Sequence, residues 1–122
     1  MSLHDHYARM EQRGKIFTEP KPMNDLQFLI QQVIRWHHDR NLIKGSSDKD
    51  QVLKLLEEMA ELSASVCNNR DIRDDIGDML VVMINICERN NLSLLGCLKV
   101  AYNDIKDRKG RMVDGIFVKE GN

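Results

Sequence analysis

No stretch of this chain approaches the roughly 20 consecutive apolar residues that a membrane span requires, and its polar N-terminus has no apolar region of the signal-peptide kind. A cytoplasmic protein with no membrane partner is the expectation. Nor is there a surplus of positive charge: 18 Lys and Arg stand against 19 Asp and Glu, a net charge of −1. Nucleic acid, whose backbone demands a basic surface, is therefore not an expected partner, although a single nucleotide is compatible. The three cysteines, Cys67, Cys87 and Cys97, are odd in number, lack CxxC spacing and lie in apolar helical patterns. That predicts buried reduced thiols rather than a disulfide or zinc site. Histidine is absent beyond His38, which argues against the Glu-x-x-His element of ferritin-type di-iron bundles. The chain also lacks a Gly-x-x-x-x-Gly-Lys phosphate loop, a Gly-x-Ser-x-Gly nucleophile elbow, internal repeats and low-complexity tracts.

What is present fits one all-α domain. At 122 residues, with 42% hydrophobic and 30% charged, the chain can build a real core, and helical chains of this size often complete it by oligomerising. Residues 1–22, which carry His4, His6 and the only prolines, Pro20 and Pro22, read as an N-terminal arm preceding a domain over 23–122. A helical period begins from Asn24 with Leu26, Leu29, Ile30, Val33, Ile34 and His37 as its buried stripe, and ends near Arg40-Asn41. Trp36 lies at the edge of that stripe and is read either as a platform for a ligand base or as packing at the margin of the core. Of His37 and His38, one packs and the other meets solvent. Ser47 to Asp50 forms a capping box for a second helix running to Cys67, whose apolar arc is Val52, Leu55, Leu56, Met59, Ala60, Leu62 and Val66. Asp71 is the expected N-cap of a third helix reaching Arg89, and Ser93 caps a fourth. Asp114-Gly115 is a turn, after which Ile116 to Val118 is expected as a short extended tail over the core.

The acidic residues of the second and third helices carry the chemistry. Glu58 and Glu61 are three apart, as are Asp75 and Asp78, so each pair shares one side of its helix. If the short 68–70 turn makes the helices antiparallel neighbours, two pairs of hard oxygen donors face each other and can cage Mg²⁺ or Mn²⁺. The helical spacing is not that of an EF-hand loop. An ordinary solvated acidic face fits the second helix equally well, since Glu57, Glu58 and Glu61 fall outside its apolar arc. It fits the third less well, because Asp75 falls within an arc that covers most of the circumference. Gly77, costly in mid-helix, suggests close approach of a helix or ligand. The basic residues of the fourth helix and beyond suit a polyphosphate, or simply favour a helix C-terminus.

Glu57-Glu58-Met-Ala-Glu61 followed by Asp75-Ile-Gly-Asp78 resembles the EExxE and ExxD motifs of the MazG-like all-α nucleoside triphosphate pyrophosphohydrolases, with Asp75 where that family has Glu. The resemblance extends over about Asn24 to Val118, through Trp36-His-His-Asp-Arg40-Asn-Leu-Ile, Gln51-Val-Leu-Lys54-Leu and the closing Asn103 to Arg111. It implies a four-helix bundle, assembled as a dimer or a dimer of dimers. It implies Mg²⁺-dependent cleavage of a nucleoside triphosphate between the α and β phosphates, giving the monophosphate and pyrophosphate, as in house-cleaning of the nucleotide pool. By position, Glu58, Glu61, Asp75 and Asp78 would be metal ligands, with Glu57, Glu58 and Glu61 the catalytic acids. Lys54, Asn103, Lys106 and Arg111 would contact phosphate or sugar, and Trp36 the base. A phosphoribosyl-ATP pyrophosphohydrolase of the HisE-like type and a dUTP- or dCTP-selective enzyme are alternatives within the same fold. A non-catalytic helical dimerisation module is the alternative outside it.

Overall fold

The computed structural model describes residues 24–121. It is mostly helical: α1 Asp25–Asp39, α2 Asp48–Cys67, α3 Arg73–Arg89 and α4 Leu94–Ile105 are followed by a two-stranded hairpin, β1 Gly110–Val113 and β2 Ile116–Lys119. The N-terminal arm expected over 1–22 lies outside the described residues. Among those described, no helix is long and apolar enough to cross a membrane.

The helix boundaries are set by local chemistry. Asn24 caps α1 by accepting the Gln27 amide at 2.8 Å. Ser47 and Asp50 form the reciprocal capping box at the head of α2, at 3.1 and 3.2 Å. Ser93 accepts the Gly96 amide at 3.0 Å to start α4. The α3 cap departs from expectation. Its N-cap position is Ile72, and Asp71 instead takes the amide of Arg73 at 3.0 Å from one residue further out. The first three helices end alike, each passing through an asparagine in the left-handed region: Asn41 at φ 58°, Asn69 at 54° and Asn91 at 55°. In each, the residue after the asparagine returns its amide to a carbonyl five residues back, Leu42 to His37, Arg70 to Ser65 and Leu92 to Cys87, all at 2.9 Å. This is the Schellman closure, with Asn where Gly is commonest.

The 68–72 turn folds α3 back along α2, the most extensive helix pair, and α1 packs on the same α3. The protected interior therefore runs along α3, where Val82, Ile84 and Asn85 are buried. Helix α2 is rotated relative to its apolar arc. Its inward stripe is Gln51, Leu55, Glu58, Leu62 and Ser65, with Glu58 and Ser65 buried, while Val52, Leu56, Met59 and Val66 face outward. In α1, Leu26 and Leu29 are likewise exposed, whereas Ile30, Val33 and Ile34 are half-buried and His37 is buried. Two further expectations are corrected. Cys67 and Cys97 are exposed and Cys87 is half-buried, because no element among the described residues covers the faces they occupy. The tail does not lie over the core either. It pairs with β1 through a two-residue turn at Asp114 (φ 49°) and Gly115 (φ 81°), and every residue of the hairpin is exposed.

Candidate functional site

Glu58 projects from α2 toward α3 and is only 7% exposed. One of its oxygens, Oε1, lies 3.4 Å from Lys54 Nζ, a turn earlier on the same helix. The other, Oε2, is buried without a hydrogen-bond partner. Glu61 follows on the next turn and Asp78 comes across from α3, so that one oxygen from each of the three carboxylates falls within a 4.8 Å group. The crowding is felt electrostatically. Glu61 is pushed above the usual carboxylate range by its hydrogen bond to Glu58 and by that group's charge. Asp78 is pushed up chiefly by removal from water, then by the charges of Asp74, Glu58 and Asp75. Lys54 is held above its ordinary value by its bonds to Glu57 and Glu58.

Three of the four expected metal ligands thus converge, and Asp75 stands apart. It is half-buried one turn before Asp78, outside the 4.8 Å group, though its charge reaches Asp78. Glu57 lies outside the cluster as well, exposed and paired with Lys54 at 3.3 Å. Nothing approaches Gly77: a methyl there would meet open space among the described residues.

Beside the carboxylates lies a cavity of about 430 Å³, lined by Glu58 and Asp78 at the acidic end and by Lys54, Gln51, Asp50, Trp36, His37, Leu42, Val81 and Val82. Trp36 and Lys54 are therefore where a ligand of the cluster would meet them. Arg40 lies over the Trp36 ring at 4.5 Å, and His37 meets that ring edge-on. Asn103, Lys106 and Arg111 do not line this cavity. The first two are exposed on α4 and just beyond it, and Arg111 borders a separate hollow of about 530 Å³ on the hairpin, lined by Glu120 but by none of Glu58, Glu61 and Asp78.

The framework behind the cavity includes residues that sequence reasoning passed over. His37 donates from Nε2 to the Val81 carbonyl at 2.9 Å and accepts at Nδ1 from Asn85 Nδ2 at 3.2 Å, which defines its neutral tautomer. Asn85, wholly buried, also donates to the Leu42 carbonyl at 3.0 Å and accepts from Arg89 Nε at 3.3 Å. Arg89 completes the tie by donating to the carbonyls of Leu42, Ile43 and Ser46 and pairing with Asp48 at 3.3 Å. These bonds fix the loop between α1 and α2, and with it the Trp36–Leu42 wall. The available signal was an amide inside an apolar run, Ile84-Asn85-Ile86, one turn before an arginine. His38 is the solvent-facing member of the histidine pair and meets Glu88 at 2.9 Å.

No protein-family model matches the chain, and no solved structure matches it. It is 42% identical over 72 residues to an uncharacterised 18.2 kDa protein of the rep-hol intergenic region of Haemophilus phage HP1 (strain HP1c1). The match takes in 57% of this chain and 44% of the phage protein, less than half the relative's length.

Proposed function

We propose that the protein hydrolyses a nucleoside triphosphate at the α–β phosphoanhydride with the help of Mg²⁺, releasing the nucleoside monophosphate and pyrophosphate. The observation that carries this reading is the buried, unpartnered Oε2 of Glu58 beside two further carboxylates. An ionised carboxylate taken out of water costs several kcal/mol unless compensated, and like charges within hydrogen-bonding reach add to that cost. Lys54 offsets part of it from one side only, through Oε1. A small divalent cation fits the donor set: all-oxygen, anionic, and drawn from two helices whose mutual packing holds it in place. Glu58, Glu61 and Asp78 would hold it, with Asp75 as a further donor and Mn²⁺ as a substitute ion. When bound, the cation supplies positive charge against which phosphate oxygens are held and the charge developing on them is stabilised.

The chain's own residues supply the remainder. Lys54 brings a second positive charge to the wall between the carboxylates and the cavity. Glu57, exposed outside the cluster and paired with Lys54, would be an auxiliary ligand or help to orient the attacking water. The cavity leads from the acidic end to Trp36, so the phosphates and the base of one nucleotide would occupy its two ends. The resemblance of Glu57 to Glu61 and of Asp75 to Asp78 to the MazG-like motifs supports the same reading. Assembly as a dimer or a dimer of dimers is supported by apolar side chains left outward. Val52, Leu56, Met59 and Val66 on α2 and Leu95, Leu98 and Ile105 on α4 remain 47–65% exposed. Asn103, Lys106 and Arg111 would then serve a cavity completed by the partner copy.

The test is pyrophosphate release from a panel of nucleoside triphosphates, with phosphoribosyl-ATP included, in Mg²⁺ and in EDTA. Release in Mg²⁺ alone, reduced at least about 10²-fold in Glu58→Gln and Asp78→Asn with helical circular dichroism intact, is the expected result. The same exposed faces favour the rival reading of a non-catalytic dimerisation module. No release from any substrate, by wild type and variants alike, would favour that rival.

A further inference from the structure

The cavity next to the carboxylates has an upper end whose hydrogen-bonding capacity can be accounted for atom by atom. Both nitrogens of His37 are committed, to Val81 and Asn85, so its ring is only a wall. Lys54 is committed to Glu57 and Glu58. Leu42, Val81 and Val82 add apolar side chains. Besides one remaining N–H of the Lys54 ammonium, three side chains retain polar capacity: the Trp36 indole N–H, the Gln51 amide, which spends one group on Ser46 Oγ at 2.9 Å, and the Asp50 carboxylate. Asp50 is an exposed residue that uses Oδ2 to accept the Ser47 amide in the capping box, and its Oδ1, bonded to no group among the described residues, is open to a ligand. Capping thus explains one oxygen and leaves the other. Along α2, Asp50 stands two turns before Glu58, roughly 12 Å on the helix axis, which is room for a sugar and a base beyond a phosphate held at the acidic end.

We infer that this upper end is a nucleobase pocket and that Asp50 makes it selective for bases with an amino group at the pyrimidine 4 or purine 6 position, cytosine and adenine over uracil and thymine. The inference rests on the proposed hydrolase reading for the occupant and on the cavity for the selectivity. An ionised carboxylate can only accept hydrogen bonds. The cytosine 4-amino group donates to it; the uracil 4-oxo group, of the same size in the same place, sets lone pairs against lone pairs. The attractive and the repulsive contact therefore act in the same direction. Gln51 can present either a donor or an acceptor, and the Trp36 N–H can meet an acceptor on any base. Asp50 alone distinguishes the two pyrimidines.

The chain contains a single tryptophan, so Trp36 fluorescence reports occupancy of this cavity without any turnover. Wild-type protein titrated with 2′-deoxycytidine, 2′-deoxyadenosine and 2′-deoxyuridine, free of metal, is expected to bind the amino-bearing nucleosides about tenfold more tightly, as one hydrogen bond to a charged acceptor implies. Asp50→Asn, which keeps a capping oxygen but can also donate, is expected to bring the ratio close to one. Ser47→Ala disturbs the same cap while leaving the carboxylate, and is expected to keep the discrimination, which separates base reading from helix stability. Equal affinities in wild type, or a preference surviving in Asp50→Asn, would overturn the assignment. So would the absence of any Trp36 response. Pyrophosphate release without base discrimination would sink the Asp50 reading and spare the hydrolase; discrimination without release would do the opposite.

Discussion

His37 is the side chain whose protonation state the fold specifies most tightly. Removal from water lowers its pKa from the ordinary value near 6.5, outweighing the bond to Val81, and the neighbouring His38 acts in the same direction. A second proton would have to enter at Nδ1, where Asn85 already presents its N–H. Asn85 cannot turn to accept it without giving up its donation to Leu42 and its acceptance from Arg89. The unfolded chain therefore binds the proton more readily than the folded one. The stability His37 contributes is complete above the unfolded value and is lost as pH falls below about 6.5 toward the lowered folded value. Thermal unfolding between pH 7.5 and about 5 should show a falling Tm in wild type and a flatter dependence in His37→Gln. A parallel dependence in the two would mean that His37 titrates normally. At this scale, Glu58, Glu61 and Asp78 were legible because i, i+3 spacing on a helix and the packing of consecutive helices are both local consequences of sequence. Asn85 and Arg89 were not, because their partners are backbone carbonyls of the 42–46 loop, and a helical wheel weighs side chains only.

Helix starts are written in adjacent residues, and the caps at Ser47 and Ser93 were legible for that reason, whereas Asp71 was placed one residue too close to its helix. Ser47 with Asp50, Ser93 and Asn24 each bond an amide three positions on. What a sequence does not carry is the rotation of a finished helix. The apolar arc of α2 pointed to Val52, Leu56, Met59 and Val66 as its buried side, yet the side against α3 holds Glu58 and Ser65. The wheel identifies an apolar face correctly but cannot say whether its cover comes from the same chain. The same reasoning misplaced the cysteines and hid a relationship between elements: Cys87 near the end of α3 and Cys97 early in α4 bring their sulfurs to 3.9 Å. Burial, then the bond to Cys97, pushes the Cys87 thiol up, and Cys97 is the exposed member of the pair, the one an external disulfide reaches first. With oxidised glutathione, Cys97 should form the mixed disulfide and Cys87 displace the second glutathione thiol, leaving an α3–α4 crosslink. A loop this short should add about 2–3 kcal/mol, less whatever strain is needed to close the sulfurs to bonding distance. Mass spectrometry of the non-reduced protein and a Tm that falls on adding reductant would register it. Glutathione retained on Cys97 without a crosslink would show that α4 does not hold this position.

For the molecule as a whole, Val82 and Ile84 are the only apolar residues fully buried among those described, a small core for a chain that must offset the conformational entropy of ordering four helices and a hairpin. Meanwhile α2 and α4 present leucines at 50% exposure or more, Leu53, Leu56, Leu95 and Leu98, and the hairpin adds Met112, Ile116 and Phe117. Exposed apolar side chains in this number suit faces that a partner covers. Under the proposed assembly, the covering element is the same face of a second copy, since a two-fold dimer lets one patch serve both partners. Sedimentation should give a dimer or a tetramer at micromolar concentration. Leu98→Glu, on the outward face of α4 and outside the carboxylate cluster, and Leu56→Glu, on the outward face of α2, should each weaken association about a hundredfold by burying an unpaired charge, and should lower Tm in a concentration-dependent way. If Asn103, Lys106 and Arg111 reach the cavity from the partner, pyrophosphate release should fall in step with dissociation and recover at high protein concentration. A wild-type chain that sediments as a stable monomer would leave those apolar faces without an occupant of their own kind, and would remove the second copy from the site.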